Sequence, residues 1–63
     1  MTDLERNNWI VNIQNSSRIV TDYFGKETVC SVFHKYHAHD VDDLDPCFYL
    51  DVFNELYQLE VDI

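Results

Sequence analysis

Five residues of the types that bind metal ions lie in the middle of the chain: Cys30, His34, His37, His39 and Cys47. On a helix, Cys30, His34 and His37 would stand at positions i, i+4 and i+7 and would line one side. Thiolate and neutral imidazole are ligands that zinc prefers, and a bound zinc ion could supply folding energy that a small core lacks. One hypothesis is therefore a structural zinc site with four ligands, Cys30, His34, His37 and Cys47.

The alternative is that these side chains bind no metal ion. The chain has no Cys-x-x-Cys pair, and cysteine is often buried simply as a small apolar residue. Cys30 and Cys47 would then be reduced thiols in the core, with the histidines at its boundary or on the surface. The acidic segment 40–45 also lacks the glycine and the terminal glutamate of a calcium-binding EF-hand loop. We therefore expect no cofactor, with zinc as the alternative.

Cys30 and His34 are also spaced so that an imidazole could activate a thiol as a nucleophile. A working site needs in addition a pocket and donors for the developing charge, and a chain of 63 residues rarely builds both. The carboxylates of Asp51, Glu55 and Asp62 are expected to be solvated, which makes them poor catalytic acids or bases. We predict that the protein is not an enzyme.

The net charge of −8 is confined to the last part of the chain. In residues 1–39 the acidic and basic side chains balance, whereas residues 40–63 contain no Lys or Arg. The acidic residues of that part are Asp40, Asp42, Asp43, Asp45, Asp51, Glu55, Glu60 and Asp62. Such a charge distribution repels nucleic acid and anionic membranes, and it attracts basic protein surfaces.

Asp51, Glu55 and Asp62 also share one side of a predicted C-terminal helix, with further acidic residues just before that helix. Negative charge along a rod is similar to the charge pattern of a nucleic-acid backbone. We therefore predict a surface that binds a basic protein, such as a nucleic-acid-binding protein. This surface is formed by Asp42, Asp43, Asp45, Asp51, Glu55 and Asp62. The alternative is a solvated face that only keeps a small apolar protein soluble.

The elements that position these residues are predicted to be helices. A single glycine and a single proline argue against a turn-rich β fold, and 46% hydrophobic residues are enough for a folded core. We predict one domain, residues 1–63, with an all-α fold: a compact bundle of three to four short helices. No apolar run reaches membrane-spanning length, and no signal peptide is recognised, so we expect a cytoplasmic protein.

The first third of the chain allows two interpretations. Thr2 and Glu5 fit a capping box that starts a helix ending near Gln14, and a serine at 16 or 17 would cap a second helix that Gly25 ends. The β-prone runs 9–13 and 18–24 would instead form a hairpin. The alternative fold is therefore α+β, with an N-terminal β-hairpin followed by two helices.

The middle third is predicted to be one helix and an acidic link. The helix spans residues 26–38, and its buried stripe consists of Val29, Val32, Phe33 and Tyr36 at positions i, i+3, i+4 and i+7. The link, residues 40–44, is predicted to form a single turn that directs Val41 and Leu44 inward.

The last helix has the clearest start, because Asp45 can accept the first free N–H groups and Pro46 suits the first helical position. On a wheel of roughly 100° per residue, its apolar residues sweep about 220°, with Glu60 alone among them. Such an arc exceeds what one core contact needs, so the helix is either central or shared with a second chain. We expect a homodimer through Leu50, Tyr57 and Val61.

Residues 24–63 resemble a group of small acidic proteins from prophages and mobile elements of Firmicutes. The resemblance is carried by residues 24–29 (FGKETV), 32–36 (VFHKY), 41–46 (VDDLDP) and 52–57 (VFNELY). The group has glycine after the tyrosine, where this chain has His37, and this departure argues against a shared histidine metal site. The resemblance implies no catalytic residues. It implies a setting in which small acidic inhibitors of host nucleic-acid-binding proteins are frequent.

These observations predict a non-enzymatic acidic protein-binding module that makes no direct contact with nucleic acid or membrane. It would act as a nucleic-acid-mimicking inhibitor, a DNA mimic, of a host or defence-system nucleic-acid-binding protein. Two alternatives remain, a zinc-stabilised structural module and a self-associating structural subunit.

Overall fold

A computed structural model describes residues 1–62 of the chain and contains three α-helices, α1 (Asp3–Phe24), α2 (Lys26–Lys35) and α3 (Tyr49–Val61). Two 3₁₀ turns, Val41–Asp43 and Pro46–Phe48, connect α2 to α3. The described residues are 82% helical and include no strand, which confirms the all-α prediction and excludes the N-terminal hairpin. Each helix of residues 1–62 is too short or too polar to cross a lipid bilayer.

The first helix is one continuous element of 22 residues, so the prediction of two shorter helices before Gly25 is wrong. It starts where the capping signal places it, because the Thr2 hydroxyl oxygen accepts the Glu5 N–H at 3.2 Å. At a rise of about 1.5 Å per residue α1 is about 33 Å long, and the longest dimension of the molecule is 32 Å. This helix therefore spans the whole molecule.

The predicted break at residues 14–17 is replaced by a contact between helices. Ser16 is only 6% exposed, and it continues the buried stripe formed by Ile13 and Val20 at positions i, i+3 and i+7. Its hydroxyl donates a hydrogen bond to the Glu60 carboxylate of α3 at 3.3 Å. Serine has only a weak preference against the helix, which this packing overrides. The same contact explains why an acidic residue lies within the apolar arc of α3.

A single residue, Gly25, reverses the chain between α1 and α2. Its φ of +94° and ψ of 158° lie in a region that residues with a Cβ atom rarely adopt. Its N–H still bonds to the Thr21 carbonyl at 3.0 Å, and α2 starts with the next residue. The short connection makes α1 and α2 a helical hairpin.

The second helix ends earlier than predicted, at Lys35 instead of Ala38. The N–H of Ala38 bonds to the Phe33 carbonyl and the N–H of His37 to the His34 carbonyl, each at 3.1 Å. This pair of bonds is a Schellman motif, which requires a left-handed residue just after the helix. That residue is His37, with a φ of +63°.

The core lies between the three helices and the connecting segment. α1 packs against both α2 and α3, and α2 also packs against α3, so all three helices enclose the core. Val41 and Leu44 of the link are buried as predicted. The buried hydrophobic residues are Ile13, Val20, Val29, Val32, Phe33, Ala38, Val41, Leu44, Tyr49, Val52 and Leu56.

The left-handed position of His37 provides a test of the helix end. Replacing His37 with glycine should increase the free energy of unfolding by about 1 kcal/mol, because glycine adopts positive φ without the clash of a Cβ atom. The control is His37→Ala, which also removes the imidazole but keeps the Cβ atom and should not stabilise. Urea unfolding of the three proteins measures the difference, and equal effects of both substitutions would contradict the backbone argument.

Candidate protein-binding surface

The structure does not gather the four residues of the zinc hypothesis. Cys30 is half-buried on α2, His34 is exposed, His37 lies in the turn after α2, and Cys47 is exposed in the second 3₁₀ turn. Within residues 1–62, no three His, Cys, Asp or Glu side chains are placed to hold a metal ion. Both cysteines are free thiols, and the expectation that Cys47 lies in the core is wrong.

The acidic link uses its carboxylates to hold its own backbone. Asp40 accepts the N–H of Asp42 at 2.8 Å, while Asp43 accepts the N–H of Asp40 and that of His39, both at 3.0 Å. The His39 ring nitrogen Nδ1 also lies 3.2 Å from an Asp43 carboxylate oxygen. These bonds form a capping box that orders the first 3₁₀ turn.

The sequence predicts that Asp45 caps the last helix from Pro46, but Asp45 caps the 3₁₀ turn Pro46–Phe48, and α3 starts only at Tyr49. The Asp45 carboxylate accepts the N–H of Cys47 at 3.1 Å, in the turn that Pro46 starts. This backbone hydrogen bond lowers the pKa of Asp45, and the hydrogen bond to Asp45 raises the pKa of the Cys47 thiol. Cys47 is therefore a weaker metal ligand and nucleophile than an ordinary exposed cysteine, because both roles need the thiolate.

Asp43 also keeps its charge to lower pH than an ordinary aspartate. The backbone N–H of Asp40 and the hydrogen bond from His39 lower the pKa of Asp43, and they outweigh a small opposing effect of burial. Asp43 and Asp45 are exposed as well as bonded to the backbone. Both can therefore contribute negative charge to a partner surface, with orientations fixed by the turns.

Glu55 differs most from its predicted environment. It was expected to be solvated, but its side chain is 29% exposed and bonds to two residues of another element, the Lys35 ammonium and the Tyr36 hydroxyl. Burial raises the pKa of Glu55, and the two hydrogen bonds more than offset this, so the net pKa is lowered. The hydrogen bond between the Tyr36 hydroxyl and Glu55 raises the pKa of Tyr36 to about 12. Glu55 therefore ties α3 to the end of α2.

The remaining acidic residues of residues 40–62 have no cation beside them. In the part of the chain that the structure describes, the ion pairs are Lys35–Glu55 and His39–Asp43. Asp42, Asp51 and Asp62 are exposed and accept no hydrogen bond from a side chain of that part. These three carboxylates, with the exposed Asp40, Asp43 and Asp45, are the ones that the fold leaves available to a partner.

The apolar arc of α3 divides into a buried and an exposed part. Tyr49, Val52 and Leu56 enter the core, whereas the residues predicted as a dimer interface are 55%, 48% and 54% exposed: Leu50, Tyr57 and Val61. Tyr57 stacks on Phe53 at a ring-centroid distance of 6.1 Å, and Phe53 meets Trp9 of α1 edge-on at 6.0 Å. An aromatic row therefore links the exposed residues to the α1–α3 contact.

Sequence reasoning missed a groove of about 430 Å³ between α1, α2 and the acidic link. One stripe of α1, Gln14, Ser17 and Thr21, faces a stripe of α2 that includes Val29, Cys30 and Phe33. Lys26 and residues 39–42 complete the lining. No sequence signal indicates this groove, because its walls come from three separate segments that only the fold brings together.

A comparison of the chain with protein-family models found no match, and comparisons with curated proteins and with solved structures found none either.

The contact of Glu55 with Lys35 and Tyr36 predicts how stability depends on pH. The folded-state pKa of Glu55 lies below its ordinary value of 4.5, so ionised Glu55 stabilises the fold above about pH 4.5. This contribution is lost as the pH falls through the folded-state pKa. The folded-state pKa of Tyr36 is raised from 10.0 to about 12, so its contribution is complete below pH 10.0 and is lost as the pH rises to about 12.

Urea unfolding at several pH values measures this dependence. The stability difference between the wild type and Glu55→Gln should be constant between about pH 5 and pH 9 and should shrink in acid below that range. Glu27→Gln is the matched control, since Glu27 is an exposed glutamate of α2 outside both ion pairs. A difference for Glu55→Gln that does not change with pH would show that the carboxylate charge is not what stabilises the contact.

Proposed function

We propose that this protein is a non-enzymatic acidic module that binds a basic surface of another protein. The observation that carries the proposal is the uneven charge: residues 40–63 hold the entire net charge of −8, and most of their acidic groups in residues 40–62 form no ion pair with a described residue. Unpaired carboxylates attract cationic residues and speed association with a basic partner.

The groups that would contact the partner are fixed to different degrees. Asp43 and Asp45 are held by backbone hydrogen bonds, so little side-chain entropy is lost when a cation binds them. Asp42, Asp51 and Asp62 are exposed and free to adjust. Glu55 supports the surface by joining α3 to α2, and it contacts the partner only at its exposed edge.

A nucleic-acid-binding protein is the partner class that we propose. Such proteins present Lys and Arg side chains spaced to neutralise phosphates, and the acidic turns and α3 supply carboxylates in their place. The resemblance of residues 24–63 to small acidic phage and mobile-element proteins supports the same class. The protein would then inhibit a host or defence-system nucleic-acid-binding protein by occupying its basic surface.

Charge reversal tests the proposal. Wild-type protein immobilised as bait should retain a basic protein from a host lysate at low salt and release it at high salt, because ion pairs are screened. The double variant Asp42→Lys, Asp51→Lys should bind the retained protein at least about tenfold more weakly, which corresponds to about 1.4 kcal/mol.

The matched control is Asp3→Lys with Asp22→Lys. It changes the net charge by the same amount, but within residues 1–39, where acidic and basic side chains balance. This control should bind the captured protein nearly as well as the wild type does. Equal weakening by both double variants would mean that only the net charge matters, and a complex that survives high salt would remove the proposal.

A second candidate is self-association through the exposed part of α3. Leu50, Tyr57 and Val61 carry no charge, although they lie on the helix of an acidic region. A stable dimer buries about 800 Å² of each partner. The accessible surface of this chain, 4334 Å², is large enough to provide such an interface. The third possibility from the sequence, a zinc-stabilised module, has no supporting geometry in residues 1–62.

Sedimentation across a dilution series tests the dimer. Leu50→Lys should shift a self-associating protein to the monomer, because a buried lysine would lose its hydration at the interface. Val11→Lys is the matched control, since Val11 is 52% exposed on α1 and Leu50 is 55% exposed on α3. A wild type that stays monomeric at high concentration would remove this candidate.

A further inference from the structure

We propose that the groove between α1, α2 and the acidic link receives an apolar side chain from a basic segment of the partner protein. Asp40 and Asp42 would pair with Lys or Arg residues next to that side chain. This inference rests on the proposed function, and it adds a specific docking position to a surface that charge alone would leave unspecific.

The groove has the shape and the floor for an apolar anchor. Its volume of about 430 Å³ lies within the range of about 300–1,000 Å³ that is usual for ligand pockets. Val29, Phe33 and Val41 line it and are otherwise buried in the core, so the floor is apolar and rigid. An inserted side chain would therefore exclude water from apolar surface, which favours binding.

The groove also has a polar group that lacks a partner. The hydroxyl oxygen of Ser17 is buried and makes no hydrogen bond within the described residues, and Ser17 lines the groove. A buried hydroxyl without a partner is destabilising. A change of the Ser17 side-chain rotamer would turn this hydroxyl toward the groove. A main-chain group of the docked segment could then bond to it, whereas a lipid chain has no group that could.

The charges at the rim favour a basic segment. Asp40 and Asp42 line the groove and form no ion pair within residues 1–62. The cationic groups in the lining are Lys26 and, when protonated, His39, which is paired with Asp43. Cations of the partner are therefore attracted to the side of the link and repelled at Lys26, so the segment would have a preferred direction.

The two cysteines provide a direct test, because Cys30 lines the groove and Cys47 lies outside it. In Cys47→Ser protein, Cys30 is the single thiol, and its alkylation by iodoacetamide is followed by mass spectrometry. The probes are two lysine-rich peptides of equal length and charge, one with a central leucine and one with alanine in its place. Fluorescence anisotropy confirms how much of each peptide is bound.

The leucine peptide at saturation should slow the alkylation of Cys30 at least threefold, and the alanine peptide should slow it less. The alkylation of Cys47 in Cys30→Ser protein should be the same with either peptide, because Cys47 lies beside Asp45 and outside the groove. The double variant Asp40→Asn, Asp42→Asn should weaken binding of the leucine peptide more than Asp3→Asn, Asp22→Asn does, which supports pairing at the rim.

Three results would overturn the inference. Peptides that bind without slowing Cys30 alkylation would show that the acidic surface works without the groove, and the proposed function would stand. Peptides that do not bind at all would contradict docking in the groove and would also argue against the proposed function. Protection that rises with protein concentration in the absence of peptide would mean that a second copy of the chain occupies the groove.

Discussion

The structure depends on the burial of one stripe of α1, Ile13, Ser16 and Val20, under the other two helices. A chain of 63 residues buries only a small part of its surface. α1 contributes to this burial along both of its contacts, with α2 and with α3. Ser16 continues the stripe between Ile13 and Val20 and is only 6% exposed. The Ser16–Glu60 hydrogen bond satisfies the polar groups that this arrangement partly buries.

The excess of negative charge sets the second constraint on the fold. Acidic residues in residues 40–62 repel one another and would favour an extended chain. Several of them nevertheless stabilise the fold through hydrogen bonds. Asp40, Asp43 and Asp45 accept backbone N–H groups in the two 3₁₀ turns, and Glu55 joins the end of α2 to α3. The segment with the highest charge density is therefore also the segment with the most local side-chain hydrogen bonds.

This arrangement would link the stability of the fold to the binding that we propose. The Asp40 carboxylate, which accepts the Asp42 N–H in the link, lines the groove, and its orientation is set before any partner arrives. A preorganised acidic rim loses less entropy on binding than a flexible acidic tail of the same charge would. The fold thus offers a physical reason why a charged surface on so small a protein could be selective.

Local signals in the sequence are sufficient for the helical class, the Thr2 cap, the capping by Asp45 of the turn that Pro46 starts, and the buried residues Val29, Val32 and Phe33. Each of these depends on neighbours within about two helical turns, which the sequence states directly. The same signals place the start of the last helix too early, since α3 begins at Tyr49. The end of α2 was placed too late, because a histidine occupies the left-handed position where glycine would have indicated the stop.

The sequence by itself determined the helical periodicity, the caps and the confinement of the net charge to residues 40–63, since these follow from residue types and spacing alone. Tertiary structure alone decided that α1 continues through Ser16, that Glu55 bonds to Lys35 and Tyr36, and that three separate segments enclose a groove. The physical reason is that weak local preferences are outweighed by contacts between residues far apart in the chain, and a single sequence does not state which residues those are.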